Sequence, residues 1–121
     1  DVAMRCWGPT LGDLFAAAAE GLGSLLGPVA GETRSFHLAL SAPDPETLLV
    51  DWLTELIYRS ERTGDTYCRS EVRISADLEL EAEVWSGAMG ERRSVVKAAT
   101  YHGLAIEHGP LGYSATIVFD T

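Results

Sequence analysis

The apolar residues of this chain change their period once, and that change limits what it can fold into. Twice before residue 63 they recur at the three-to-four spacing of a helix; after Asp65 they alternate. The two periods put different residues on one face, so a stretch written in one cannot bury its apolar set in the other. The chain therefore reads as helices interleaved with strands at first, and as strands alone afterwards.

Asp1 to Trp7 alternates, with Val2, Met4 and Cys6 on one side, and reads as a strand ended by Gly8-Pro9. Thr10 suits an N-cap, and Asp13 three residues on makes a near-capping box. Leu11, Leu14, Phe15, Ala18, Leu22, Leu25 and Leu26 follow at helical spacing as far as Gly27-Pro28, and Ala16, Ala17 and Ala19 permit close packing. Thr33 to Leu40 alternates again. Asp44 as N-cap and Pro45 at the first helical position open a second helix. Its apolar face is Leu48, Leu49, Trp52, Leu53, Leu56 and Ile57, its polar face includes Asp51, and Thr63-Gly64-Asp65 closes it. Thr66–Ala76 and Leu78–Met89 read as a hairpin turning near Ala76-Asp77, with a loop over 87–93. Val95–Ile106 and Tyr113–Asp120 read as a last strand pair around His108–Gly112. A length of 121 residues suits a single domain, 1–121. The expected fold is α+β in two layers: a mixed β-sheet of about six strands with both helices on one face, in the order β-α-β-α-β-β-β-β.

Apolar residues make up 46% of the chain and charged residues 22%, the balance of a globular protein rather than a disordered one. No apolar stretch is long enough to span a membrane, and no basic segment followed by an apolar run opens the chain. Eighteen acids against nine bases give a net charge of −9. That argues against free-standing nucleic-acid binding, which rests on Lys and Arg neutralising phosphates. It fits a partner with a basic surface, or a bound cation. Cys6 and Cys68 have no metal-ligand spacing. Both lie in strand-like stretches and read as reduced, mostly buried thiols, which points to a cytoplasmic location.

The sequence holds no GxSxG, GxxxxGK, GxGxxG after a strand, or HExxH. Of its three histidines, His37 reads as a half-buried or solvated strand residue and His108 as a surface turn residue, and only His102, in Tyr101-His102-Gly103, has a case for chemistry. The acids say more. Asp1 opens the first strand and Asp120 closes the last, followed by Thr121 and the terminal carboxylate. If those strands are antiparallel neighbours, three carboxylates gather at one sheet edge, where they repel unless a cation neutralises them. An all-oxygen set suits Ca²⁺ or Mg²⁺ rather than zinc. On pattern alone, terminal acids are more often solvated and idle. Lys97 is the one lysine beside eight arginines. It offers a compact charge on a flexible stem, which a guanidinium does not.

Several stretches together resemble the archease family. Asp1-Val2 with Trp7-Gly8 and Leu11-x-x-Leu14-Phe15 resembles its opening, and Leu48-Leu49-Val50-Asp51-Trp52-Leu53-x-Glu55-Leu56 its second helix. Val96-Lys97-Ala98-x-Thr100-Tyr101-His102-Gly103-Leu104 is the most specific match, and Ile117-Val118-Phe119-Asp120-Thr121 is similar to its ending, with Thr121 in place of Ile or Val. The resemblance implies a non-catalytic accessory protein that activates an RtcB-type RNA ligase. Such a protein promotes guanylylation of the ligase and its multiple turnover in tRNA splicing and RNA repair. It further implies a metal site at Asp1, Asp120 and Thr121, and a partner-facing tip with Lys97, to which His102 and Asp51 are candidate additions. The family's His-Thr-Ala before the opening Asp is not in this sequence: either it is lost or it lies outside the given residues, and a free α-amino group on Asp1 would be expected to weaken cation binding. Neither stable nucleic-acid binding nor membrane association is expected. A general chaperone or scaffold is the alternative. A metal-dependent hydrolase, with His102 as the water-activating base, is a third option.

Overall fold

The computed structural model describes residues 1–121. The elements run β1 (Val2–Gly8), α1 (Leu11–Leu26), β2 (Val29–Ser41), α2 (Pro45–Thr63), β3 (Asp65–Ile74), β4 (Glu79–Met89), β5 (Ala98–Thr100), β6 (Glu107–Gly109) and β7 (Gly112–Asp120). Both helix starts follow from local chemistry. Thr10 Oγ1 accepts from the Asp13 amide at 3.1 Å, and Asp13 Oδ2 accepts from the Thr10 amide at 3.3 Å, a closed capping box. Asp44 Oδ1 accepts from the Thr47 amide at 2.8 Å, with Pro45 in the first turn.

The α+β class and the two helices are as expected, but the sheet is divided. One sheet has the order β1-β7-β5, with β6 also on β7; the other has the order β2-β4-β3. Every strand pair is antiparallel. The expected mixed sheet would need a helix crossover joining parallel neighbours. Here α1 instead carries the chain from one sheet to the other. Seven strands replace about six because Val95–Ile106 is not one strand. Only Ala98–Thr100 pairs with β7. The chain then turns at 101–104, closed by the Leu104 amide on the Tyr101 carbonyl at 3.0 Å, with Gly103 at φ +62°. Glu107–Gly109 returns to β7 as β6. β2 begins at Val29, four residues before the alternation shows, because Ala30 to Ser35 is exposed on both faces.

One core takes side chains from both sheets and both helices. Its tightest contact is α1 on β3, the edge strand of the second sheet. A Cβ on Gly12 would lie 2.2 Å from the Val72 carbonyl oxygen, and one on Gly23 would lie 2.1 Å from that of Tyr67. Helix backbone and strand backbone therefore touch at two points. Over the eleven residues between those glycines the helix rises about 16 Å. Over the five residues from Tyr67 to Val72 the strand advances about 16 Å as well. The two rises match, so helix and strand stay in contact along the whole segment, and α1 covers an edge that would otherwise be free to pair. Thr66 Oγ1 ties the end of the helix to the same strand, donating toward the Gly23 and Gly27 carbonyls at 3.3 and 3.0 Å. Trp52 Nε1 donates to the Phe15 carbonyl at 3.0 Å and holds α2 on α1.

Cys6 is buried, and burial pushes its thiol up to about 11, so it stays protonated at neutral pH. Burial likewise raises the Tyr67 hydroxyl, which donates to the Leu56 carbonyl. Cys68 corrects the expectation of two buried thiols. The register of β3 on β4 shifts between Tyr67 and Arg69, and the bulge leaves Cys68 unpaired and exposed.

The contacts of α1 predict a contrast within one helix. Gly23→Ala drives a methyl group into backbone and should cost about 3 kcal/mol or more of unfolding free energy in urea titrations. Gly21→Ala meets only the flexible end of the Met4 side chain and gains helix propensity, so it should change stability by less than about 1 kcal/mol. Equal effects at the two positions would refute the backbone contact.

Candidate functional site at the end of the first sheet

β1 and β7 are antiparallel neighbours from Val2–Phe119 to Gly8–Tyr113. Asp1 lies one step beyond the Val2–Phe119 pair, at the same edge as Asp120 and Thr121. Phe119 is fully buried, and strand alternation turns Asp120 outward. On the other side of β7, Ala98 pairs with Asp120, and the Lys97 amide donates to the Asp120 carbonyl at 2.8 Å. Val96 and Ala99, 2% and 8% exposed, anchor this strand, while Lys97 is exposed. The incoming loop is pinned as well: the Gly90 amide donates to the Pro28 carbonyl at 2.8 Å, and the Arg93 amide to the Leu26 carbonyl at 2.9 Å. Three strands and one loop thus bring Asp1, Asp120, the Thr121 carboxylate and Lys97 to one exposed edge.

Strand pairing does not carry His102 or Asp51 there. His102 follows the last β5–β7 pair, Thr100–Val118, and its amide donates to Thr100 Oγ1 at 3.4 Å, so the turn takes it away from Asp120. Asp51 is exposed on α2. The N-terminus of that helix is fastened at the opposite end of the sheet, where Glu46 Oε2 accepts from the Ile106 amide at 2.9 Å. His108 stacks on Tyr113 with ring centres 4.0 Å apart, and His37 lies 3.8 Å from Glu83 on the open face of the second sheet.

Asp1 and Asp120 offer side-chain carboxylate oxygens at this edge, beside the backbone nitrogen of Asp1 and the backbone oxygens of Thr121. No three His, Cys, Asp or Glu side chains cluster at metal-ligand spacing anywhere in the chain, this edge included, where the side-chain acids are two. Carboxylate oxygens on a chain of net charge −9 fit a hard divalent cation, and Lys97 adds one mobile positive charge to the rim. No helix is long and apolar enough to cross a membrane.

The family model of the archease proteins matches residues 1–121. An archease of Methanosarcina acetivorans is 32% identical over 131 residues, covering 99% of this chain and 89% of that protein. One of Saccharolobus islandicus is 34% identical over 129 residues, covering 99% and 91%. Among solved structures, an archease of Thermotoga maritima described as a possible chaperone superposes with a TM-score of 0.77 at 22% identity, covering 100% of this chain and 91% of that one. Protein 1598 of Methanobacterium thermoautotrophicum superposes with a TM-score of 0.68 at 23% identity, covering 100% and 95%.

If the edge holds a divalent ion, ligand binding stabilises the fold by mass action. Calcium at a hundredfold excess over its Kd adds about 2.7 kcal/mol, which for a domain of this size raises Tm by on the order of 10 °C. Asp120→Asn should abolish the rise, and EDTA should reverse it in the unmodified protein. A rise of the same size in Asp120→Asn would place the ion elsewhere.

Proposed function

The chain belongs to the archease family, and from that premise we propose that it is a non-catalytic accessory protein that activates an RtcB-type RNA ligase. In this reading it promotes guanylylation of the ligase and its multiple turnover in tRNA splicing and RNA repair, in the cytoplasm. The observation that carries the reading is the convergence of Asp1, Asp120, the Thr121 carboxylate and Lys97 at one exposed edge.

Each group has a physical role in this reading. Asp1, Asp120 and Thr121 hold Ca²⁺ or Mg²⁺ through oxygens. When bound, that ion supplies a fixed positive charge at the point of the molecule. The surrounding negative charge matches an RNA-accepting site, which must be basic, and complementarity of this kind governs encounter and register more than raw affinity. Lys97, free to swing on its stem, contacts a phosphate or an acidic side chain of the ligase. The Thr121 side chain matters little, since its backbone carboxylate is the donor.

A general chaperone or scaffold is the second reading, prompted by the description of the Thermotoga relative. The two separate in the test tube, because a chaperone suppresses aggregation of unrelated proteins without metal. The hydrolase option loses its proposed base, since the turn at 101–104 leads His102 away from the carboxylate edge.

Guanylylation and multiple-turnover ligation by an RtcB-type ligase should rise when this protein is added. Asp120→Ala should remove at least nine-tenths of that stimulation while leaving the circular dichroism spectrum unchanged. Full stimulation by Asp120→Ala would take the edge out of the mechanism.

A further inference from the structure

The second sheet carries a pocket that shares no residue with the carboxylate edge. Arg34 of β2 pairs with Ser86 of β4, and Ser86 with Tyr67 of β3, so the three form one row across the sheet. The end of α2 packs over that row, with the Tyr67 hydroxyl donating to the Leu56 carbonyl and the Arg59 guanidinium 4.6 Å from the centre of the Phe36 ring. Between helix and strands lies a pocket of about 180 Å³. Phe36, Tyr67 and Ser86 line it from the sheet, and three arginines, Arg34, Arg59 and Arg62, stand around it.

The charges of this pocket run against those of the chain. Three guanidinium groups meet around one small cavity in a protein of net charge −9. Like charges brought so close repel unless anions compensate them. Two are compensated from within: Arg34 Nη2 donates to Asp65 Oδ2 at 2.9 Å, and Arg59 Nε donates to Glu55 Oε1 at 3.1 Å. Arg62 has only the Tyr58 ring, 4.9 Å from its guanidinium carbon, and so leaves one positive charge over. The two ion pairs also fix Arg34 and Arg59 in place while their remaining N–H groups stay open to a ligand.

A second, independent observation points into the same cavity. Ser86 is 3% exposed, it lines the pocket, and no side-chain hydrogen bond of the chain involves its hydroxyl. A buried hydroxyl without a partner costs free energy that a ligand oxygen would recover. The helix end does not bar an anion, because its last carbonyls are occupied. Leu56 accepts from Tyr67, Arg59 from the Thr63 hydroxyl at 2.9 Å, and Ser60 from the Gly64 amide at 2.9 Å. Nor does the net charge, since salt screens the remaining acids beyond about 8 Å at physiological ionic strength. The shape of the donor set selects among anions. Donors from β2, β4 and two turns of α2 approach from different directions, which suits the three terminal oxygens of a phosphate group better than the two coplanar oxygens of a carboxylate.

We propose that the pocket ringed by Arg34, Arg59 and Arg62, with Ser86 in its floor, is a binding site for a phosphate group, either as the free ion or as the monoester of a small molecule. The site stands or falls independently of the ligase reading and of the carboxylate edge.

The test is a nuclear magnetic resonance titration of the ¹⁵N-labelled full chain with inorganic phosphate and, separately, with glycerol 3-phosphate, at fixed pH and ionic strength. Saturable shifts should appear at the amides of Thr63, Asp65 and Ser86 and at the Nε–H of Arg59, with β1 and β7 unmoved. Arg62→Gln should weaken binding at least fivefold; the residue is exposed and holds no ion pair, so the variant keeps the fold. Ser86→Ala should weaken it severalfold. Arg5→Gln removes the same charge from the other sheet and should leave the affinity unchanged. Saturation by inorganic phosphate alone upholds the site and assigns it to the free ion; tighter saturation by glycerol 3-phosphate upholds it and assigns it to a monoester. Shifts that do not saturate with either probe, or equal weakening by Arg5→Gln and Arg62→Gln, overturn the proposal.

Discussion

The seven antiparallel pairs between β1 and β7 are the constraint on which the candidate site rests. They join the two ends of the chain, and a slip of one residue would turn Asp120 inward and Phe119 outward. Burial sets the register. Phe119 and Ile117 are fully buried and Cys6 nearly so, and all three lie on the face turned to the helices. The apolar face thus decides where the carboxylates go. Lys97 depends on the same pairing from the other side, since its amide is held by the Asp120 carbonyl.

What was legible in the sequence was what local chemistry decides. Thr10 with Asp13, and Asp44 with Pro45, announce helix starts because a cap needs only its own neighbours. The carboxylate edge was legible as a condition: two terminal strands with acids at matching ends gather them if the strands are antiparallel neighbours. The division into two sheets was not legible, because alternation tells which face a residue takes and not which strand it pairs with. Val95–Ile106 misled for a related reason. Its apolar residues continue at strand spacing past Thr100, while Gly103 turns the chain and leads His102 off the expected line. The turn at Leu78 left no mark, since nothing in the residue type of Leu78 announces a positive φ. One signal was present and read only in part. Gly12, Ala16, Ala19 and Gly23 form a continuous small-residue stripe on α1, the pattern of a helix that meets another backbone closely.

The two ends of the first sheet differ in chemistry. At one end the carboxylates of Asp1 and Asp120 stand near a single lysine, Lys97. At the other, Leu11, Ile74, Leu78, Ile106 and Tyr113 line a groove whose one fixed charge is Arg73. Both surfaces belong to the elements that α1 connects, because that helix spans from β1 and β7 to β3 and fixes the sheets relative to each other. A chain of 121 residues can therefore keep both ends in register through one core.

The most direct measurement of the central claim is the paramagnetic broadening of backbone amide signals by substoichiometric Mn²⁺, a hard divalent ion of the kind the edge should hold. The account predicts selective loss of the signals of Val2, Lys97, Ala98, Asp120 and Thr121, with His102, Asp51 and the open face of the second sheet spared. Broadening centred on Glu71, Glu81 and Glu83, or spread evenly over the acidic surface, would contradict it.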